Sequence, residues 1–132
     1  MEARQVRTAG ARLGWMAVTE PADLLDDERV AALARLALFD AEMAELRLDR
    51  GRESADDEHD PDGATLSGEW SKLAGLRRAA LGELADIDAA RDRLADGTYG
   101  VCADCGRPIP VDRLRARPTA TRCVACAEKA GR

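Results

Sequence analysis

Two Cys-x-x-Cys pairs near the C-terminus constrain this chain more than any other feature of its sequence. The first pair is Cys102 and Cys105, and the second pair, 17 residues further on, is Cys123 and Cys126. Each pair can place two sulfurs on one side of a metal ion, and two pairs at this separation complete a tetrahedral Zn²⁺ site. Such a site is closed by protein ligands and leaves no position for a catalytic water. The pattern predicts a structural zinc finger with one zinc ion per chain.

The spacing alone leaves two other uses of the thiols open, an iron site of rubredoxin type and a redox-active dithiol pair. A secreted disulfide framework is not favoured, because no cysteine occurs before Cys102 and residues 1–15 lack the apolar segment of an export signal. No apolar run reaches the roughly 18 residues of a membrane span. The sequence therefore predicts a cytoplasmic protein whose paired thiols hold metal.

Two amphipathic helical patterns precede the cysteines. The first runs from about Asp26 to Glu53, and its apolar residues recur at steps of three and four at Leu36, Phe39, Met43 and Leu46. Six more apolar residues are predicted to widen this stripe: Val30, Leu33, Ala37, Ala41, Ala44 and Leu48.

The second pattern runs from Thr65 to Asp96 and has the spacing of a coiled-coil seam. Its seam positions are Leu66, Trp70, Leu73, Arg77, Ala80, Leu84, Ile87, Arg91 and Leu94. The two arginines are expected to pack their stems and direct their charged heads to solvent or to carboxylates. Thr65 is the predicted N-cap and Gly97 the predicted C-terminal cap, while Cys126 is expected to begin a short terminal helix.

The composition favours long helices over a wide globular interior, since the chain has 26 alanines and four aromatic residues. We predict a mainly α fold in which a long antiparallel coiled-coil hairpin precedes a four-cysteine zinc finger with a short terminal helix. The predicted parts are a flexible segment 1–25 (with Met16 as an alternative start to Met1), a hairpin 26–97 with its tip at 54–64, and a finger 98–132. A compact helical bundle and a coiled coil between chains remain alternatives, and we expect a monomer.

Charge is distributed unevenly along the chain. The tip segment 53–62 contains six acidic residues and no basic one, whereas residues 101–132 contain seven basic and three acidic residues. The net charge of −5 disfavours a generally basic nucleic-acid binder. An enzyme is not expected either, because the sequence has a single histidine and no phosphate-binding glycine-rich loop.

The finger residues resemble a known family. The run from Tyr99 to Gly106, the segment from Ala116 to Ala120, and the pair Cys123 and Cys126 are similar to the DksA/TraR-type C4 zinc finger. The long hairpin before the finger also resembles that family. The resemblance implies a regulator that binds bacterial RNA polymerase, inserts the hairpin into the secondary channel, and does not bind promoter DNA in a sequence-specific manner. It also raises the nucleotide ppGpp as a second ligand.

The resemblance further assigns a role to the acidic tip. Family members carry the pattern Asp-x-x-Asp-x-Ala there, and Asp57 with Asp60 reproduces the paired aspartates, although Asp62 stands in place of the alanine. We therefore expect Asp57, Asp60 and Asp62 to contact the partner. Two other functions remain open: nucleic-acid binding by the basic finger, and a thiol-based response in which oxidation releases zinc.

Overall fold

The computed structural model of the protein describes residues 19–56 and 62–131. These residues form two long helices, α1 (Thr19–Asp56) and α2 (Asp62–Asp96), followed by two short ones, α3 (Val111–Ala116) and α4 (Val124–Ala130). Within the same residues, extended pairing is limited to an antiparallel bridge between Val101 and Pro108. The prediction of a mainly α fold is confirmed.

The described residues divide into two compact units. We call Val30–Leu84 the hairpin unit, because it contains the C-terminal part of α1 and the N-terminal part of α2. We call residues 19–29 with 85–131 the finger unit, because it combines the other ends of these helices with the cysteine region.

In the hairpin unit the two helices run antiparallel. Moving along α1, Arg35 pairs with Glu83, Asp40 with Arg77, and the Arg50 guanidinium donates to the Ser67 hydroxyl, so partners on α2 come earlier in the sequence at each step. Such pairs are exposed and contribute about 0–1 kcal/mol each to stability. They do fix the register, and the Arg77 Nε to Asp40 Oδ1 distance of 2.6 Å confirms that this arginine reaches a carboxylate.

The core of the hairpin unit is narrow. Leu73 and Ala80 of α2 are buried, while the predicted stripe of α1 is half-buried at Leu36, Phe39, Met43 and Leu46. The predicted widening of that stripe was wrong: Val30, Leu33, Ala37, Ala41, Ala44 and Leu48 are exposed, by 68% for Val30 and 61% for Leu48. Two packed helices bury one narrow face of each, so apolar residues outside that face stay in contact with solvent.

In the finger unit the ends of α1 and α2 pack on each other. The side chains buried there include Leu25, Ile87 and Ala90. Two charged pairs join the same helices at the surface. Arg29 Nε lies 3.1 Å from Asp88 Oδ1, and Arg91 Nη1 lies 3.6 Å from Asp26 Oδ1. The second contact confirms that Arg91, like Arg77, directs its head to a carboxylate.

Three helices begin at residues other than those predicted. Helix α1 begins at Thr19 and not near Asp26. Pro21 is tolerated there because it falls in the first turn, where a missing N–H leaves no intrahelical bond unmade. Helix α2 begins at Asp62, so Thr65 lies within it and is not its N-cap. Helix α4 begins at Val124, with Cys123 as its N-cap, rather than at Cys126.

The end of α2 follows the prediction. Gly97 has φ of 81°, a left-handed conformation that favours glycine. The Gly97 N–H donates to the Leu94 carbonyl at 3.3 Å, and the Thr98 N–H donates to the Arg93 carbonyl at 2.9 Å. These two bonds form a Schellman motif, which satisfies the last carbonyls of α2 and turns the chain towards the cysteines.

Glycines recur every seven residues along α2, at Gly68, Gly75 and Gly82, and packing does not require them. A Cβ added at Gly82 would meet nothing within 4 Å. We expect Gly82→Ala to raise the free energy of unfolding by about 1 kcal/mol, because alanine is the better helix former. Urea denaturation followed by circular dichroism measures this change. Gly97→Ala is the matched control and should destabilise; a loss of stability in Gly82→Ala would show that the glycine has a role of its own.

Candidate metal centre

The first Cys-x-x-Cys pair lies in a tight reversal of the chain. The Cys102 N–H donates to the Arg107 carbonyl at 2.8 Å, and the Gly106 N–H donates to the Cys102 carbonyl at 3.0 Å. Gly106 has φ of 74°, which a side chain would strain. We call this turn, residues 102–107, the first knuckle. It brings two sulfurs to the same side of the loop.

The second pair is placed by α4. Cys123 is the N-cap of this helix and Cys126 lies in its first turn. We call residues 121–126 the second knuckle. The two knuckles are in direct contact, since the Ala103 N–H donates to the Thr121 carbonyl at 2.8 Å and the Cys123 N–H reaches Cys102 Sγ at 3.4 Å.

The four sulfurs converge. All lie within 4.8 Å of one another, and the sulfurs of Cys105 and Cys123 are 3.9 Å apart. Four thiolates at about 2.3 Å from a tetrahedral Zn²⁺ would be about 3.8 Å apart, so the set fits one zinc ion. No other cluster of metal-ligating side chains occurs among the side chains that the structure describes, those of residues 20–51 and 66–131.

The protein environment distinguishes the thiols. Hydrogen bonds from backbone N–H groups, first that of Cys105 and then that of Cys123, lower the pKa of Cys102 to about 6. The neighbouring Cys123 sulfur and burial raise the pKa of Cys126 to about 12. In the absence of metal, Cys126 therefore keeps its proton more firmly than Cys102 does. A bound dication reverses this preference, because it supplies the positive charge that four adjacent thiolates require.

A small apolar core supports the knuckles. Tyr99, Ile109, Leu114 and Pro118 are buried, and the Tyr99 hydroxyl donates to the Pro118 carbonyl at 2.7 Å. Burial raises the pKa of Tyr99 to about 12. Because Tyr99 is buried and its hydroxyl is bonded, its ring packs in this core.

Two ion pairs in this region were not predicted from the sequence. Arg115 of α3 donates to both carboxylate oxygens of Glu20, at 2.6 Å and 3.2 Å, across 95 residues of sequence. This hydrogen bond lowers the pKa of Glu20 and raises that of Arg115. Arg122 Nε lies 2.7 Å from Asp104 Oδ2. No sequence periodicity signals either pair.

The predicted tip residues lie outside the part of the chain that the structure describes in full. Asp57 and Asp60 are not among the described residues, and Asp62 begins α2 with a side chain that is not described. Their contact with a partner stays a prediction.

In the part of the chain that the structure describes, no helix combines the length and apolarity needed to cross a bilayer.

Four cysteines on two knuckles, which follow the two long helices in the sequence, define a C4-type zinc-finger protein. Residues 97–130 match the sequence profile of the prokaryotic dksA/traR C4-type zinc finger. This match and the four-sulfur cluster confirm the prediction of a zinc cofactor.

The fold has a solved counterpart in the transcription factor DksA2 from Pseudomonas aeruginosa. The two align with a TM-score of 0.77 and 29% sequence identity, over 92% of this chain and 88% of that one. The resemblance to DksA/TraR zinc finger proteins that the sequence predicts is therefore confirmed in the finger and in the fold.

Similar sequences support the same conclusion over shorter stretches. The RNA polymerase-binding transcription factor DksA from Caulobacter vibrioides is 48% identical over 46 residues, which are 35% of this chain and 32% of that protein. The protein YteA from Bacillus subtilis is 41% identical over 71 residues, 54% of this chain and 30% of that protein. The chain thus spans about a third of the length of these two relatives.

Proposed function

We propose that this protein regulates transcription by binding bacterial RNA polymerase directly and inserting its hairpin into the secondary channel. The observation that carries the proposal is the alignment of 92% of the chain with the transcription factor DksA2, together with the match of residues 97–130 to the dksA/traR C4-type zinc finger. The Caulobacter relative is described as RNA polymerase-binding, which supports the same partner. The protein is then a cytoplasmic regulator and not an enzyme, with ppGpp as a proposed second ligand.

The division of roles follows from the chemistry of the parts. The zinc finger is closed by four thiolates and has no open coordination position for substrate, so its role is structural. The hairpin unit has a register fixed by cross-helix pairs such as Arg77 with Asp40. The tip carboxylates of Asp57, Asp60 and Asp62 would then act at the catalytic region of the polymerase. Because each helix of the hairpin has its partner in the same chain, we propose that a monomer binds.

Retention on immobilised core RNA polymerase tests the proposal, with binding to duplex DNA measured at the same salt concentration. We expect retention on the polymerase and no comparable affinity for DNA, because the chain carries a net charge of −5. Binding to DNA without binding to the polymerase would contradict the proposal. It would assign the function to exposed basic residues of the finger unit such as Arg107, Arg117 and Lys129.

A further inference from the structure

Two charged residues beside the cysteines have no place in the ligand set. Asp104 lies inside the first Cys-x-x-Cys pair, and Arg122 directly precedes Cys123. The guanidinium Nε of Arg122 donates to Oδ2 of Asp104 at 2.7 Å. The contact therefore joins the first knuckle to the second knuckle, next to a sulfur ligand on each side.

Arg122 also has a second partner. Its backbone carbonyl accepts a hydrogen bond from Nε of Arg113 on α3, at 2.8 Å. Next to it, the Thr121 carbonyl accepts from the Ala103 N–H at 2.8 Å. Arg122 is thus the residue at which α3 and both knuckles meet.

Its position gives the ion pair more influence on the metal than on the fold. The two side chains are 43% and 44% exposed, and exposed pairs contribute little to folding stability. A zinc ion with four thiolates has a formal charge of −2, however, and the Asp104 carboxylate adds another negative charge beside it. The Arg122 guanidinium offsets this charge while it holds the knuckles together.

We propose that Asp104 and Arg122 form a clasp across the two knuckles and control the rate at which zinc leaves the site. Movement of one pair of sulfurs away from the other pair opens the site to a chelator. The clasp opposes that movement, because separating the knuckles breaks the charge-assisted hydrogen bond between Arg122 and Asp104. The two residues position the ligands and do not themselves bind the metal.

Zinc transfer from the loaded full-length protein to an excess of chromogenic chelator measures the effect. We expect Arg122→Gln to release zinc about two- to five-fold faster, which is the scale of an exposed ion pair. Asp104→Asn should accelerate release less, because it removes the carboxylate that Arg122→Gln leaves unpaired. Arg107→Gln is the matched control: it removes the same charge from the first knuckle, where Arg107 contributes its backbone carbonyl to the turn. Its release rate should stay near that of the wild type.

The exchanged pair, Asp104→Arg with Arg122→Asp, separates a clasp from a general effect of charge. It retains both charges in reversed positions and should restore most of the slow release. The absorption spectrum of the Co²⁺-substituted protein should remain that of a tetrahedral thiolate site in every variant. Unchanged release in Arg122→Gln, equal acceleration in Arg107→Gln, or failure of the exchanged pair to slow release would each overturn the proposal.

Discussion

Removal of zinc should unfold the finger and leave most of the helix content in place. We expect zinc on Cys102, Cys105, Cys123 and Cys126 to hold together a region with four buried apolar side chains, which are too few to fold without the metal. The short helices α3 and α4 have 6 and 7 residues, whereas α1 and α2 have 38 and 35. Chelation should therefore abolish hydrogen-exchange protection across the finger while most of the helical circular dichroism signal persists.

Substitution of one ligand should reproduce this result. We expect Cys102→Ser or Cys126→Ser to lose zinc and the structure of the finger together, since three thiolates do not close the site. The loss corresponds to a large part of the about 10–16 kcal/mol of apparent binding free energy that structural zinc provides. Acid should favour zinc release, because protons compete with the metal for thiolates. Iron in the purified protein, or a fully protected finger without zinc, would contradict the assignment.

Neutralising the acidic tip should separate binding from regulation. In the variant Asp57→Asn, Asp60→Asn, Asp62→Asn we expect normal binding to RNA polymerase and loss of the effect on transcription. The hairpin and the finger are proposed to determine binding, whereas the tip charges are proposed to act inside the channel. Charges interact far more strongly in such a confined, poorly solvated space than they do in water. Retention on core polymerase and transcription in vitro should be measured on the same preparation.

A matched variant controls for the loss of three negative charges. Glu42→Gln, Glu45→Gln and Glu69→Gln change three exposed carboxylates of the hairpin unit and should leave both binding and regulation intact. Normal regulation by the Asn variant would reduce the tip to a soluble connection between α1 and α2. Loss of polymerase binding by that variant, with binding retained by the Gln variant, would make the tip carboxylates docking groups.

Sequence reasoning succeeded where the determining interactions are local. The spacing of Cys102, Cys105, Cys123 and Cys126 predicts a zinc site because a short Cys-x-x-Cys loop has few ways to present two sulfurs. The periodicity of α2 predicts Leu73, Ala80 and Ile87 as core because every turn of a helix repeats the same geometry. Gly97 ends α2 as predicted, since a left-handed residue is required there.

Tertiary structure decided what depends on contacts between distant residues. The start of α1 at Thr19 places Glu20 in the first turn, where it pairs with Arg115, 95 residues away in the sequence. Val30 and Leu48 are exposed because two helices pack together in the hairpin unit. The apolar pattern of one helix does not show how many helices will pack against it. The contact of Asp104 with Arg122 likewise exists only after the two knuckles meet. Sequence determines the ligands and the helical faces because these arise from short-range geometry, whereas the folded chain alone brings such partners together.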